Sequence, residues 1–384
     1  MTSRIIGRGL WALAAALFFS LTAAAANGSL LPVDAIGLSQ VQSLFPNLDG
    51  RDDITGQSQR VAVIDTGIQL NHPALGSSTV VAGINYAAGA TYGSTTPSQY
   101  ADQNGHATFV AGVIGSRDPS RLGVAPGVEF VSVRALASDG TGAFSDIAKS
   151  LEWVVTNATS LNITAVNLSM GSSTLYTSPA GVPTYSTYNR IAAAFSTLKN
   201  MNIVIAVASG NNGSSTSMSL PAIMDNIISV GATDTTDHIA SYSNRNQYLE
   251  LLAPGSSLNS LTLNSGYATG SGTSYAAPIV AGSAMLLREL YSQFTDNLAG
   301  KFSSYEERVL SLLQSTSDQI IDPATGRSYD RIDLLAAVNA VYAEFGQQTS
   351  VPEPASIALF ALGSFMLIRR RKYHTELIQA GAER

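Results

Sequence analysis

The sequence predicts an α/β fold of three layers, a mostly parallel sheet with helices on both faces. Three observations point there. Short apolar runs alternate with helical segments from about residue 60 onward. The runs are continuous, as strands buried on both faces are, rather than alternating. The chain of 384 residues is 45% hydrophobic and only 12% charged, with 33 glycines. That suits a tightly packed globular protein and excludes disordered and coiled-coil classes.

The first segment lies outside this fold. Arg4 and Arg8 precede an apolar run over 10–21 and then Thr22-Ala23-Ala24-Ala25-Ala26. This is the order of a secretory signal peptide, residues 1–26, cut by signal peptidase after Ala25 or Ala26. An exported protein is expected. Residues 27–60 are too few for a separate domain, so one domain is expected over 27–345. They also leave no room for a folding-assisting prodomain. A helical lead-in is expected over 36–41 and a polar loop over 49–59.

Arg60-Val61-Ala62-Val63-Ile64-Asp65 reads as a buried parallel strand, ending in Asp65-Thr66-Gly67. Residues 85–104 read as loop. Gly105-His106 opens a helix with Phe109, Val110, Val113 and Ile114 at helical spacing. Strands are expected over 129–135, 163–168, 202–208 and 227–230, with helices over 145–156 and 189–199. A small-residue apolar run over 276–287 reads as a buried helix, and amphipathic segments near 304–314 and 331–343 close the domain. In such sheets the site forms where loops leave the carboxyl ends of strands.

Composition narrows the chemistry. A net charge of −6 offers no basic stripe, so nucleic acid is not expected as a partner. The absence of cysteine removes disulfides, thiol nucleophiles and Cys-based zinc sites. Histidine-dependent chemistry has four candidates, His72, His106, His238 and His374.

Gly270-Ser271-Gly272-Thr273-Ser274-Tyr275-Ala276-Ala277-Pro278 is the stretch on which the reading turns. Pro278 is tolerated in a first helical turn, and the amide it lacks would have bonded the Ser274 carbonyl. The helix is therefore expected to start at Ser274, whose hydroxyl and amide stand near the positive end of the dipole. Alone, such a serine is an N-cap as readily as a nucleophile. Asp65 at a strand end and His106 at a helix start change that. A serine needs a base, and the base needs a carboxylate to hold its tautomer.

Chain order separates the alternatives, since triad folds differ in it. Gly272-Thr273-Ser274-Tyr275-Ala276 loosely imitates the nucleophile elbow of α/β-hydrolases, but that fold places its histidine after the serine. Here only His374 follows, in the terminal tail. Asp65-Thr66-Gly67 imitates an aspartic-protease signature, but the second copy needed for a carboxylate pair is missing.

The order Asp65, His106, Ser274 is that of subtilisin-like serine proteases, and the chain from about 35 to 290 resembles that family. Val61-Ala62-Val63-Ile64-Asp65-Thr66-Gly67, with the following His72-Pro73, resembles its aspartate motif. Gly105-His106-Ala107-Thr108-Phe109-Val110-Ala111-Gly112 resembles its histidine motif, and Gly272 to Pro278, continued by Ile279-Val280-Ala281-Gly282, its serine motif. The resemblance implies a subtilisin-like fold and a serine endopeptidase acting on proteins or peptides. Ser274 is then the nucleophile, His106 the base and Asp65 its carboxylate. Ala208-Ser209-Gly210-Asn211-Asn212-Gly213 resembles the oxyanion motif, which assigns Asn211. Asn167-Leu168-Ser169-Met170-Gly171 resembles the strand backing the primary specificity pocket, and Gly140-Thr141-Gly142 the edge that pairs with extended substrate.

The chain departs from the family pattern in places. Ala107 and Phe109 stand where the histidine motif reads Gly and His, and Phe109 is expected to change packing rather than chemistry. Ala74 stands where an aspartate often serves calcium, and the following loop before Gly123 is short. The calcium site is therefore not carried over, no metal ligands are assigned, and the chemistry calls for no cofactor. The stretch over 172–189, with Tyr176, Tyr185 and Tyr188, reads as an insertion beside the cleft whose aromatics either bind substrate or pack on the domain. An inactive binding or matrix protein on the same fold is the alternative function.

After a linker over 346–351 comes Pro352-Glu353-Pro354, an apolar run over 357–368 and Arg369-Arg370-Arg371-Lys372. The run is shorter than the roughly 20 residues of a comfortable span, and the basic cluster fits a cytoplasmic stop. Residues 352–384 resemble the PEP-CTERM sorting signal of Gram-negative bacteria. That implies handling by an exosortase and a place in the periplasm, at the cell surface or in the matrix. The segment is either cleaved or kept as a membrane anchor.

Overall fold

In the computed structural model, which describes residues 32–52, 57–294 and 304–345, nine strands form the central sheet. In chain order the strands are β1 (Arg60–Asp65), β2 (Val80–Asn85), β3 (Glu129–Arg134), β4 (Ile163–Leu168), β5 (Val204–Ala208), β6 (Ile228–Thr233) and β7 (Leu251–Pro254). A separate hairpin, β8 (Leu258–Thr262) and β9 (Gly266–Gly270), follows, and then β10 (Asp318–Ile321) and β11 (Ser328–Arg331). The sheet order is β10-β11-β7-β6-β5-β4-β1-β3-β2. Only the β10–β11 pair is antiparallel. The sequence-derived fold class thus stands.

The longer helices are α1 (Leu38–Leu44), α2 (His106–Gly115), α3 (Phe144–Asn157), α4 (Ser186–Asn200), α5 (Thr273–Phe294), α6 (Tyr305–Ser315) and α7 (Leu334–Phe345), and a single helical turn, Pro97–Tyr100, lies within the expected loop over 85–104. On one face α3 and α4 close a core in which Ile64, Val133, Leu168 and Val207 of the sheet meet Leu151, Phe195 and Leu198. Alternate strand residues, Val61, Val63, Ala165 and Ala206, are equally buried on the other face. There α5 packs on β4 to β7 with α2 beside it. Because α5 is buried along most of its length, its sequence is apolar on every side.

Three expectations change. First, α5 begins at Thr273, so Pro278 is its sixth residue, beyond the first turn. The carbonyl of Ser274, which Pro278 cannot bond, accepts instead from the Ser169 hydroxyl at 2.6 Å. A side chain from β4's exit loop replaces the missing helical bond. Second, β2, β7, the β8–β9 hairpin and the β10–β11 pair were not legible as strands. β2 is interrupted by Gly83 and the others are short or polar, and pairing rather than propensity makes them strands. Third, the stretch over 172–189, read as an insertion beside the cleft, contains regular structure. Leu175–Tyr176 pairs antiparallel with Met218–Ser219, and α4 already starts at Ser186.

A compact unit ends at Val341. Among the described residues no helix is long and apolar enough to cross a membrane. The signal peptide over 1–26, the linker over 346–351 and the sorting segment over 352–384, with its apolar run over 357–368, lie outside the described residues.

Candidate active site

Adjacent strands β5, β4 and β1 deliver their carboxyl ends to one place. Asp65 ends β1 and is fully buried. Both its oxygens stand 2.9 Å from Nδ1 of His106, the first residue of α2. The Thr66 N–H donates to Asp65 Oδ1 at 2.6 Å. The turn that follows needs Gly67: its φ is +97°, and a Cβ there would meet the Tyr100 carbonyl oxygen at 2.5 Å.

The imidazole answers two opposed effects. Burial lowers its pKa, but the charge of Asp65, its hydrogen bond and the more distant Asp102 outweigh burial. The net position is above the ordinary 6.5. Asp102 also builds the start of α2. Its Oδ1 accepts from Thr66 Oγ1 (3.0 Å) and from the N–H groups of Asn104 and Gly105 (2.9 Å each). Its Oδ2 accepts from the N–H and hydroxyl of Thr108 at 3.0 and 2.6 Å. One carboxylate therefore ties the helix that carries His106 to the strand end that carries Asp65.

Ser274 lies in the first turn of α5 and shares a cleft of about 730 Å³ with His106. Its hydroxyl donates to the Ser169 carbonyl at 3.1 Å, so serine and imidazole line one wall without the serine proton directed at the ring. A second cavity of about 300 Å³ joins Ser274 to Asn211, Gly210, Met170 and Gly171. Asn211 is oriented by Thr273, whose N–H and Oγ1 donate to its Oδ1 at 2.8 and 2.9 Å. That leaves the amide nitrogen as the end available to a ligand.

The other expected residues gather along the same cleft. Gly140, Thr141, Gly142, Ser169, Met170 and Gly171 all line it. Thr141 is spent locally: its N–H donates to Asp139 Oδ1 at 2.9 Å, and its carbonyl accepts from the Ala137 N–H at 2.8 Å. Beyond Gly142 the cleft is walled by Leu136, Phe144, Ile147, Tyr176 and Tyr188. Phe144 and Tyr188 meet edge to face at 5.2 Å. Tyr185 stays largely exposed, so the three tyrosines divide between wall and surface.

Residues 56–327 match the subtilase family, and residues 350–372 match the PEP-CTERM protein-sorting motif. Subtilisin BL of Lederbergia lenta is 38% identical over 255 residues, 66% of this chain and 83% of that protein. Subtilisin E of Bacillus subtilis strain 168 is 34% identical over 265 residues, 68% of this chain and 62% of that protein. The crystal structure of a cold-adapted subtilisin-like serine proteinase superposes with a TM-score of 0.56 at 28% identity, covering 74% of this chain and 89% of that one.

The chain belongs to the subtilase family.

It is accordingly a serine-type endopeptidase with proteins as substrates. Its sorting motif marks it for export and for surface or membrane association. The altered histidine motif of this subtilase is accommodated by packing. Ala107 is fully buried, and buried Phe109 lies 4.1 Å from the Tyr275 ring, which stands 5.8 Å from the imidazole of His106. The short loop after α2 is pinned by Arg117. Its N–H donates to the Ala74 carbonyl (2.6 Å), and its guanidinium donates to the carbonyls of Pro126 (2.8 Å) and Val128 (3.2 Å). Among the described residues no group of three or more His, Asp or Glu side chains is placed to hold a metal.

Sequence reasoning missed Asp102 and the orienting bonds of Thr273. An aspartate shortly before a helix start was a usable capping signal for the first. A hydroxyl beside the serine was one for the second. Phe144 as a wall had no local signal, since it reads as an ordinary helix start.

Proposed function

We propose that this protein is an exported endopeptidase that cleaves peptide bonds with Asp65, His106 and Ser274, and stabilises the oxyanion with Asn211 and the Ser274 amide. The observation that carries the reading is the Asp65–His106 pair. A fully buried carboxylate holds Nδ1–H at 2.9 Å, which leaves Nε2 with its lone pair as base.

Substrate entering the cleft frees the Ser274 hydroxyl from Ser169. Its proton passes to His106 Nε2 as Oγ bonds to the scissile carbonyl carbon, and the C=O electrons move to oxygen. That oxyanion receives the Asn211 amide and the Ser274 N–H, a first-turn group without an intrahelical acceptor. Collapse breaks the C–N bond, and His106 returns the proton to the leaving amine. Water then repeats the sequence on the acyl-enzyme, and Ser274 is regenerated. No cofactor takes part in these steps.

Upstream residues of the substrate lie extended along Gly140 and Gly142 on one side and Ser169 to Gly171 on the other. The Thr141 backbone, engaged in its turn, stands aside. Signal peptidase removes 1–26, exosortase-type machinery handles 352–384, and nucleic acid plays no part. The enzyme acts in the periplasm, at the cell surface or in the matrix. The test is labelling of the secreted protein with a fluorophosphonate probe. Labelling abolished in Ser274→Ala is expected; a wild type that stays unlabelled overturns the reading in favour of an inactive binding protein.

A further inference from the structure

The loop over 209–214, which carries Asn211, is shaped by one side chain from elsewhere. Asn244 lies in the connection between β6 and β7 and is fully buried. Its Oδ1 accepts from the N–H groups of Asn212 at 2.9 Å and Ser214 at 3.1 Å. Its Nδ2 donates to the Ser209 carbonyl at 3.3 Å and to Asn212 Oδ1 at 3.0 Å. That uses both acceptor positions and both N–H groups of a carboxamide. The backbone joins in: the Asn244 N–H donates to the Gly210 carbonyl at 2.9 Å, and its carbonyl accepts from Ser209 Oγ at 2.8 Å. Gly210 has φ +104°, and a Cβ there would collide with Asn244 Nδ2.

These six bonds fall on Ser209, Gly210, Asn212 and Ser214, on either side of Asn211, and none falls on Asn211 itself. Asn244 is held in turn from behind. The next residue, Arg245, donates to Asp322 through Nε and Nη2, each at 2.9 Å. Its N–H donates to the Ser214 carbonyl at 2.8 Å, and Nη1 to the Ser243 carbonyl at 3.1 Å. Arg245 and Asp322 are both buried, so the pair has the planar bidentate geometry that fixes position as well as charge. Asp322 follows β10, at the antiparallel margin of the sheet.

We infer that Asn244 is a positioning residue for Asn211, with the Arg245–Asp322 pair as its clamp, an inference that rests on the oxyanion role proposed for Asn211. Asn244 supplies no group to the substrate. It sets the height and tilt of the arch from which the Asn211 amide projects. A misplacement of about 1 Å at a reacting centre costs on the order of 10²-fold in rate.

The experiment is a double-mutant cycle on the secreted enzyme, with kcat expressed per site titrated by a fluorophosphonate so that misfolded protein does not count. Asn211→Ala is expected to lower kcat on the order of 10²–10³-fold. Asn244→Ala is expected to lower it about 10- to 100-fold with little change in KM, and Asn211→Ala/Asn244→Ala to be no slower than Asn211→Ala alone. Arg245→Lys, which keeps the charge and loses the fork, should give a smaller loss that also vanishes in the Asn211→Ala background. It serves if Asn244→Ala yields no titratable sites. Losses that multiply in the double variants, or full kcat in Asn244→Ala, overturn the positioning role. An Asn211→Ala enzyme with undiminished kcat overturns the oxyanion assignment instead.

Discussion

Ser169 and Ser274 are joined twice: the Ser169 hydroxyl donates to the Ser274 carbonyl at 2.6 Å, and the Ser274 hydroxyl donates to the Ser169 carbonyl at 3.1 Å. The first bond exists because Pro278 has no N–H to offer that carbonyl. The second holds the hydroxyl of the proposed nucleophile. Helix α5 is thereby tied to the exit of β4 at Ser274.

Ser169→Ala removes a side-chain donor from the Ser274 carbonyl, which Pro278 cannot bond. Urea unfolding in a Ser274→Ala background, which prevents self-digestion, is expected to show a loss of about 1–2 kcal/mol. In the active background kcat should fall about 10-fold through misplacement of the serine. Unchanged stability would mean that water replaces the bond without cost.

The His106 pKa is raised, and as the proposed base His106 works unprotonated. The rising limb of kcat/KM against pH is therefore expected above the ordinary 6.5. In Asp65→Asn the charge that raises it is gone while burial remains, so the limb moves to lower pH. kcat should also drop on the order of 10⁴-fold, because the tautomer is no longer held. A limb that stays in place would assign it to another group.

Glu250 is a second titrating group, at the amino end of β7, whereas the site is built at carboxyl ends of strands. Burial pushes its carboxyl up to about 8, aided by Glu306 and opposed by the Ser229 hydrogen bonds and Lys199. Its oxygen accepts from the Ser229 N–H at 2.7 Å. The folded state therefore holds a proton that the unfolded chain releases near 4.5. Stability from this group is complete below about 4.5 and is lost as pH rises through about 8. Denaturation midpoints of Ser274→Ala protein between these limits should decline with pH, and less steeply in Glu250→Gln. Equal slopes would exclude Glu250 as the source.

Tyr188 meets Phe144 edge to face in the wall of the cleft. Tyr188→Ala is expected to lower kcat/KM on the order of 10-fold for peptides with a bulky apolar residue a few positions before the scissile bond. Peptides with glycine there should be nearly unaffected. A peptide library digested by both enzymes gives the comparison, and a uniform loss across it would make Tyr188 a packing residue only.

The legible parts of this chain share a cause. Strands β1 and β4 are buried on both faces, and β1 runs apolar without a break from Val61 to Ile64, a signal that needs no partner to be recognised. By contrast β10 and β11, with Asp318, Gln319, Ser328, Asp330 and Arg331, read as loop. Their strand character comes from pairing with each other. The site divides the same way. Asp65, His106, Ser274 and Asn211 sit at element ends within motifs that local sequence displays. Asn244 sits in a polar stretch, Ser243-Asn244-Arg245-Asn246, with nothing local to mark it.

What the sequence determined by itself was the candidate groups proposed to react and the ends of the elements that carry them. Apolar periodicity, glycine turns and the proline near the serine act over a few residues. What only the tertiary structure decided was which groups meet. Asp65 reaches His106 across 41 positions, and Arg245 reaches Asp322 across 77. Those meetings depend on the strand order that sets β5, β4 and β1 side by side and brings β10 and β11 to the far margin. Strand order is a property of the whole buried sheet, and no stretch of a few residues contains it.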